Sequence, residues 1–331
     1  MLQGRGWDRT PVGPTVRTLI GEDRMLRRHR PALAGLLALS AVAGASVPAT
    51  AQNPRDRLLI SVDQLSQNPG SPGLVVLHVG QKAEYEAEHI PGARLIGLDD
   101  VSLPHPPSHD TGLMLELPPV EQLRAKLQSF GISDDSRIVV YYGNDWVTAA
   151  TRILFTLDYV GLGDRSALLD GGMRAWKAAG KPVTAEIPAA AHGRLTAQPV
   201  EDIVVTAEQV EERLGRPGFT IIDARTPVFY EGREAGMGAR AGHIPGARNI
   251  PFTELTDDAL RVRDTAALRA LFDDAGVGPD DTVIAYCHIG QQATAIVFAA
   301  RLLGRNVVLY DGSFTGWTQK PDRPVQTGAR K

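Results

Sequence analysis

The chain repeats itself, and no other feature narrows its fold as far. His89-Ile90-Pro91-Gly92-Ala93 recurs as His243-Ile244-Pro245-Gly246-Ala247, each copy following a short apolar run, Leu74–Val79 and Phe219–Ile222. Leu123-Arg124 and Leu268-Arg269 open matched helical segments that end at Phe130-Gly131 and Ala275-Gly276. Ser133-Asp134-Asp135 and Pro279-Asp280-Asp281 then lead into apolar runs, Arg137–Tyr142 and Thr282–Tyr286. A second helical segment follows each run, closing at Gly161 and Gly304, and Asp170-Gly171-Gly172 with Trp176 answers Asp311-Gly312-Ser313 with Trp317. Self-similarity on this scale implies two copies of one structural unit.

Short Val/Ile/Leu runs alternating with helical patterns predict an α/β fold, each half a mainly parallel sheet flanked by helices. Residues 184–201, with Pro188, Pro199 and the small-residue run Pro188–Gly193, read as a linker. The domains therefore fall at about 55–183 and 202–328. The 331 residues suffice for two separate cores.

The first fifty residues do not read as fold. Positions 1–24 carry Gly, Pro and Arg without an apolar period and read as an extension ahead of a true start at Met25. Arg27-Arg28-His29-Arg30, the apolar run Ala32–Val47 and the small-x-small Ala49-Thr50-Ala51 have the order of a secretory signal over 25–51. The run is short for a spanning helix. The expected mature chain is exported, periplasmic or secreted, and free of the membrane once the signal is cleaved. A net charge of −3 gives no basic excess for nucleic acid.

Cys287 is the only cysteine, so no intrachain disulfide can form, and no metal-ligand cluster or cofactor fingerprint is present. A lone cysteine is commonly a small buried hydrophobe. Its position argues otherwise. The apolar run ends at Tyr286, a loop opens at Cys287, and an apolar-faced helix follows. Ligands of parallel sheets bind at the carboxyl ends of strands, here beside unpaired N–H groups at a helix start. Those donors should lower the thiol pKa and cradle a persulfide or an anionic donor. Gly290 lets the loop curl. The equivalent place in the first half is Tyr142, so that half has the frame without the nucleophile.

At these residues the chain resembles the tandem-domain rhodaneses, the thiosulfate and 3-mercaptopyruvate sulfurtransferases. The resemblance runs from about residue 55 to 328. It rests on both His-Ile-Pro-Gly-Ala segments, on Asp223-Ala224-Arg225, on the six-residue loop opening with Cys287, and on Asp311–Trp317. It implies two rhodanese-like domains and a Cys287 that accepts sulfur from a small anionic donor. A thiol, cyanide or a partner protein then takes that sulfur from the persulfide. No cofactor is implied. The alternative is a carrier that delivers persulfide sulfur to one protein partner.

Thiosulfate users in this family tend to carry basic residues after the cysteine, and mercaptopyruvate users small ones. His288-Ile289 fits neither pattern. His288 reads either as a partial cation facing the donor or as a wall of the loop. Gln291 and Gln292 read as neutral donors lining the pocket or as solvent-facing side chains. Phe229-Tyr230 stands where the mercaptopyruvate enzymes place an arginine. Arg233 and Arg240, in the same loop, could supply guanidinium forks, unless they are solvated charges. Arg225 is expected to hold the fold through an ion pair, and His89 and His243 to be structural because both halves carry them. Asp223 is matched by His78. A cysteine phosphatase of this fold would need an arginine six positions beyond the cysteine, where Ala293 stands.

Overall fold

The computed structural model describes residues 53–329 except 68–69, 107–111, 144–146, 190–191, 197 and 238. The extension and the signal segment expected over 1–51 lie outside the described residues. Among those described, no helix is long and apolar enough to cross a membrane.

Among the described residues ten strands form two sheets of five. The first holds β1 (Leu59–Ile60), β2 (Leu74–Val79), β3 (Arg94–Leu95), β4 (Arg137–Tyr142) and β5 (Ser166–Leu169) in the order β1-β5-β4-β2-β3. The second holds β6 (Val204–Val205), β7 (Phe219–Asp223), β8 (Arg248–Asn249), β9 (Thr282–Tyr286) and β10 (Val307–Tyr310) in the order β6-β10-β9-β7-β8. Every strand pair is parallel. The central strands read as unbroken apolar runs because both faces are covered: β4 is buried from Ile138 to Tyr142, and β9 from Val283 to Tyr286. The α/β reading of two equivalent sheets flanked by helices therefore describes the molecule.

The His-Ile-Pro-Gly-Ala segments build the same clasp twice. His89 stacks on Tyr85 with ring centroids 4.0 Å apart, and its Nδ1 lies 2.7 Å from the Tyr85 carbonyl. His243 stacks on Tyr230 at 3.9 Å, with Nδ1 2.6 Å from the Tyr230 carbonyl. The Ile90 and Ile244 N–H groups each donate to a strand tyrosine, Tyr141 and Tyr286, at 3.1 Å. Trp176 and Trp317 donate from Nε1 to Pro182 and Pro324 carbonyls at 2.8 Å. These matched bonds align Tyr141 with Tyr286, and so Tyr142 with Cys287.

The stretch read as a linker is partly strapped to the first domain. Thr184 pairs with His89, the Gly193 N–H donates to the Gln128 carbonyl at 2.8 Å, and Leu195 is buried.

The helices that follow the central strands, Val147–Tyr159 and Ala293–Leu302, bury almost every residue, and their side chains join one apolar core that spans both domains. Burying an aliphatic side chain such as Ile153 or Ile296 stabilises by about 1.5–3 kcal/mol. Thr151 and Thr294, each ten residues before the glycine closing its helix, meet Oγ1 to Oγ1 at 2.9 Å. The two copies therefore face each other through equivalent positions, and this brings first-domain side chains to the Cys287 loop.

Candidate active site

Cys287 follows the last residue of β9 and is fully buried. The loop Cys287–Gln292 turns back beneath it, and the helix starts at Ala293. Backbone N–H groups of Ala293, Ile289, Gln292 and Gly290 point at the sulfur. Gly290 makes that cradle possible. Its φ is +84°, and a Cβ there would stand 2.5 Å from Asp311 Oδ1 and 3.0 Å from Arg152 Nη1. The Cys287 N–H donates to Ser313 Oγ at 3.1 Å, and Ser313 Oγ donates to the Tyr310 carbonyl at 2.9 Å.

Burial pushes the thiol pKa up, and the four N–H donors pull against it without prevailing. The expected net lowering by the helix start is thus reversed. Desolvation penalises the thiolate more than the cradle favours it.

The remaining expected residues separate into two groups. His288, Ile289, Gln291 and Gln292 line one cavity with Cys287, of about 400 Å³. Gly290 serves the site through its backbone. Arg233 and Arg240 are elsewhere. Arg233 Nε donates to Glu231 Oε2 at 2.6 Å and is mostly exposed. Arg240 donates to the carbonyls of Pro321, at 3.3 Å, and Arg323, at 2.5 Å. Neither lines the cavity, so the expected guanidinium clamp is not formed: each fork has already found oxygens of its own.

His288 is a wall of the site and not a cation. It is 8% exposed, and its ring stands edge-on to Phe229 with centroids 4.7 Å apart. Burial, aided by the Arg225 charge, lowers its pKa to about 4. Its Nδ1 is buried without a hydrogen-bond partner. Gln291 is half-buried, and Nε2 donates to Thr148 Oγ1 at 3.1 Å. Gln292 Oε1 is buried and unpartnered.

Arg225 makes the ion pair expected of it. Its Nε lies 2.9 Å from Asp223 Oδ1, and Nη2 also donates to the Gly242 carbonyl at 2.7 Å. The guanidinium lies over the Phe314 ring, 4.2 Å from its centroid.

Several site residues gave no signal in the sequence. Thr148 enters from the first domain, and Met237 and Phe252 complete the described walls. Arg152, also from the first domain, is fully buried and ion-paired to Asp311 behind Gly290. Met237 holds a φ of +57° at the centre of Gly236-Met237-Gly238, and that Gly-x-Gly spacing was the one readable hint. Among the described residues no group of three or more His, Cys, Asp or Glu side chains gathers as a metal site would.

At the first-domain position equivalent to Cys287 the thiol is replaced. Tyr142 occupies the thiol position, and its hydroxyl donates to the Leu260 carbonyl at 2.5 Å. Gly172 stands where the second domain has Ser313, with nearly the same backbone (φ +52° and +50°). A Cβ at Gly172 would fall 2.7 Å from the Tyr142 ring.

The rhodanese-like domain model matches this chain twice, over residues 61–179 and 206–320. The chain belongs to the rhodanese family. Curated relatives of this rhodanese include a probable 3-mercaptopyruvate sulfurtransferase of Pseudomonas aeruginosa, 33% identical over 82% of this chain and 98% of the relative. A thiosulfate sulfurtransferase of Azotobacter vinelandii is 32% identical over 81% and 97%. Among solved structures, YnjE superposes with a TM-score of 0.73 at 25% identity, covering 84% of this chain and 70% of its own. A variant of EanB in complex with ergothioneine has the same TM-score at 21% identity, over 84% and 72%, and shares the fold.

Proposed function

We propose that this sulfurtransferase works by double displacement through a Cys287 persulfide. The Cys287 thiolate attacks the transferable sulfur of a donor such as thiosulfate or 3-mercaptopyruvate, the donors in the relatives' names. A bond forms from Sγ to that sulfur, the donor's bond to it breaks, and the electron pair leaves with sulfite or, after protonation, as pyruvate. A thiol or cyanide then attacks the outer sulfur, and the Cys287 thiolate is the leaving group.

The single observation that carries this reading is the ring of N–H donors from Ile289, Gly290, Gln292 and Ala293 around one buried sulfur. Charge-assisted hydrogen bonds of this kind contribute about 1.5–3 kcal/mol each. They are aimed where negative charge resides in the thiolate and on the outer sulfur of the persulfide. No residue of the described first domain offers a nucleophile at the equivalent point, so the chemistry is assigned to the second domain alone.

Thiocyanate formation from cyanide, with thiosulfate and with 3-mercaptopyruvate as donors, tests the reading on wild type and Cys287→Ser. Equal rates in both proteins would refute it. Persulfide at Cys287 by intact mass spectrometry without turnover of either donor would favour the carrier reading, with a protein as the acceptor. The basic, apolar and small-residue order over 25–51 supports export of this enzyme, and N-terminal sequencing of the mature protein tests that.

A further inference from the structure

The cavity in front of Cys287 has a chemical character at odds with a donor that ends in a carboxylate or sulfonate. Its described walls are Met237, Phe252 and Ile289, with Thr148, His288 and the two glutamines between them. No lysine or arginine is among them. The residues between 53 and 329 that the structure leaves undescribed contain neither Lys nor Arg.

The guanidiniums of the surrounding elements are committed to other oxygens. Arg225, whose charge reaches Cys287 and His288, is neutralised by Asp223. Arg152 is closed by Asp311, Arg233 by Glu231, and Arg240 by two backbone carbonyls. His288 is wedged between Phe229 and Gly236, where a Cβ would come within 2.4 Å of its ring. Met237 is held in a left-handed conformation that ordinary side chains avoid. Its side chain adds a soft, apolar thioether to the cavity wall.

One anionic centre is provided for, the sulfur in the N–H cradle. A second charge, at the far end of a donor, would lose water against walls of apolar and neutral polar side chains that hold no counter-ion. Resting on the persulfide reading above, we propose that this site loads Cys287 from organic persulfides, R–S–SH, whose R group is small and uncharged, in preference to carboxylate- or sulfonate-ended donors. The step is balanced without any oxidant or reductant. The Cys287 thiolate forms a bond to the terminal sulfur, the R–S bond to that sulfur breaks, and the thiolate R–S⁻ leaves with the electron pair. It takes up the proton that Cys287 gave to solvent.

The test uses two persulfides matched in carbon chain length, 3-hydroxypropyl persulfide and 2-carboxyethyl persulfide, alongside thiosulfate and 3-mercaptopyruvate. Loading of Cys287 is followed by rapid-quench mass spectrometry on the full chain, with reaction in Cys287→Ser subtracted as background. The expected result is a second-order loading rate at least about tenfold higher for the uncharged persulfide than for its carboxylate partner. Both anionic donors should be slower still. Met237→Arg, which places a cation in the wall, should bring the two persulfides to within about twofold. Equal rates for the matched pair in wild type, or faster loading from thiosulfate or 3-mercaptopyruvate, would overturn the proposal. A different outcome, no persulfide on Cys287 from any donor, would remove the persulfide reading itself.

Discussion

Arg152, fully buried on a first-domain helix, forms an ion pair with Asp311 of the second domain directly behind Gly290 of the Cys287 loop. Its Nη2 also donates to the Leu115 carbonyl, and the Leu117 N–H donates to Asp311 Oδ2 at 3.3 Å. The domain without a nucleophile thus holds the floor of the loop that has one.

Breaking this pair from one side strands a buried charge. Arg152→Ala and Asp311→Ala should each lower stability by about 3–5 kcal/mol, and the double variant by clearly less than their sum. Urea unfolding of the three proteins checks this, and strict additivity would show that the two groups do not interact.

Thiol ionisation should come late. Because burial raises the Cys287 pKa, its alkylation rate by iodoacetamide should still be rising with pH above about 8.5, the ordinary thiol value. The folded state holds this proton more tightly than the unfolded chain does. Stability should therefore fall as pH climbs from the ordinary thiol value through the raised one, and Cys287→Ser should lose that dependence.

Histidine ionisation should act at the acid end. His78 and His288 are both lowered from 6.5 to about 4, chiefly by burial. Their folded forms exclude a proton that the unfolded chain accepts, so stability is full above pH 6.5 and is lost as pH falls towards 4. Each shift corresponds to at most about 3–4 kcal/mol. His78 has no hydrogen-bond partner on either ring nitrogen. His78→Leu should therefore cost under about 1.5 kcal/mol at pH 7 while making the unfolding free energy less steep between pH 6.5 and 4. An unchanged acid slope would refute the assignment.

Ser313 accepts the Cys287 N–H while holding a left-handed backbone. Ser313→Ala should keep the strain, leave a buried donor unpaired at about 1–3 kcal/mol, and slow transfer by about tenfold through the displaced sulfur. Ser313→Gly should recover part of the stability by relaxing φ and recover none of the rate. Equal rates in wild type and both variants would show that the hydroxyl does not position Cys287.

The fold was readable because a duplicated pattern prints every element twice. The His-Ile-Pro-Gly-Ala segments, the two Asp-Gly turns and the apolar runs of β4 and β9 located both sheets. Cys287 was readable from its place between β9 and a helix. Thr148 and Arg152 were not, because they reach the site across the domain interface from a helix whose face no local pattern identifies. The direction of the Cys287 shift was also hidden, since the loop's donors are local whereas its desolvation depends on everything packed around it. Arg233 and Arg240 misled for the same reason: a loop arginine announces a charge but not the oxygen that captures it.

The first domain carries Tyr142, Gly172, His78 and Gly80 where the second carries Cys287, Ser313, Asp223 and Arg225. Each member of one set fits only its own companions: the Tyr142 ring fills the space a serine would need, and Gly80 leaves no room beside His78 for a longer side chain. Tyr142→Cys alone would leave a hole with no hydroxyl to seat the thiol and no Asp–Arg pair behind it. A working site in that half would need a nucleophile, a seat for it and a charged pair behind it together, so no single substitution there replaces a Cys287 lost from the other half.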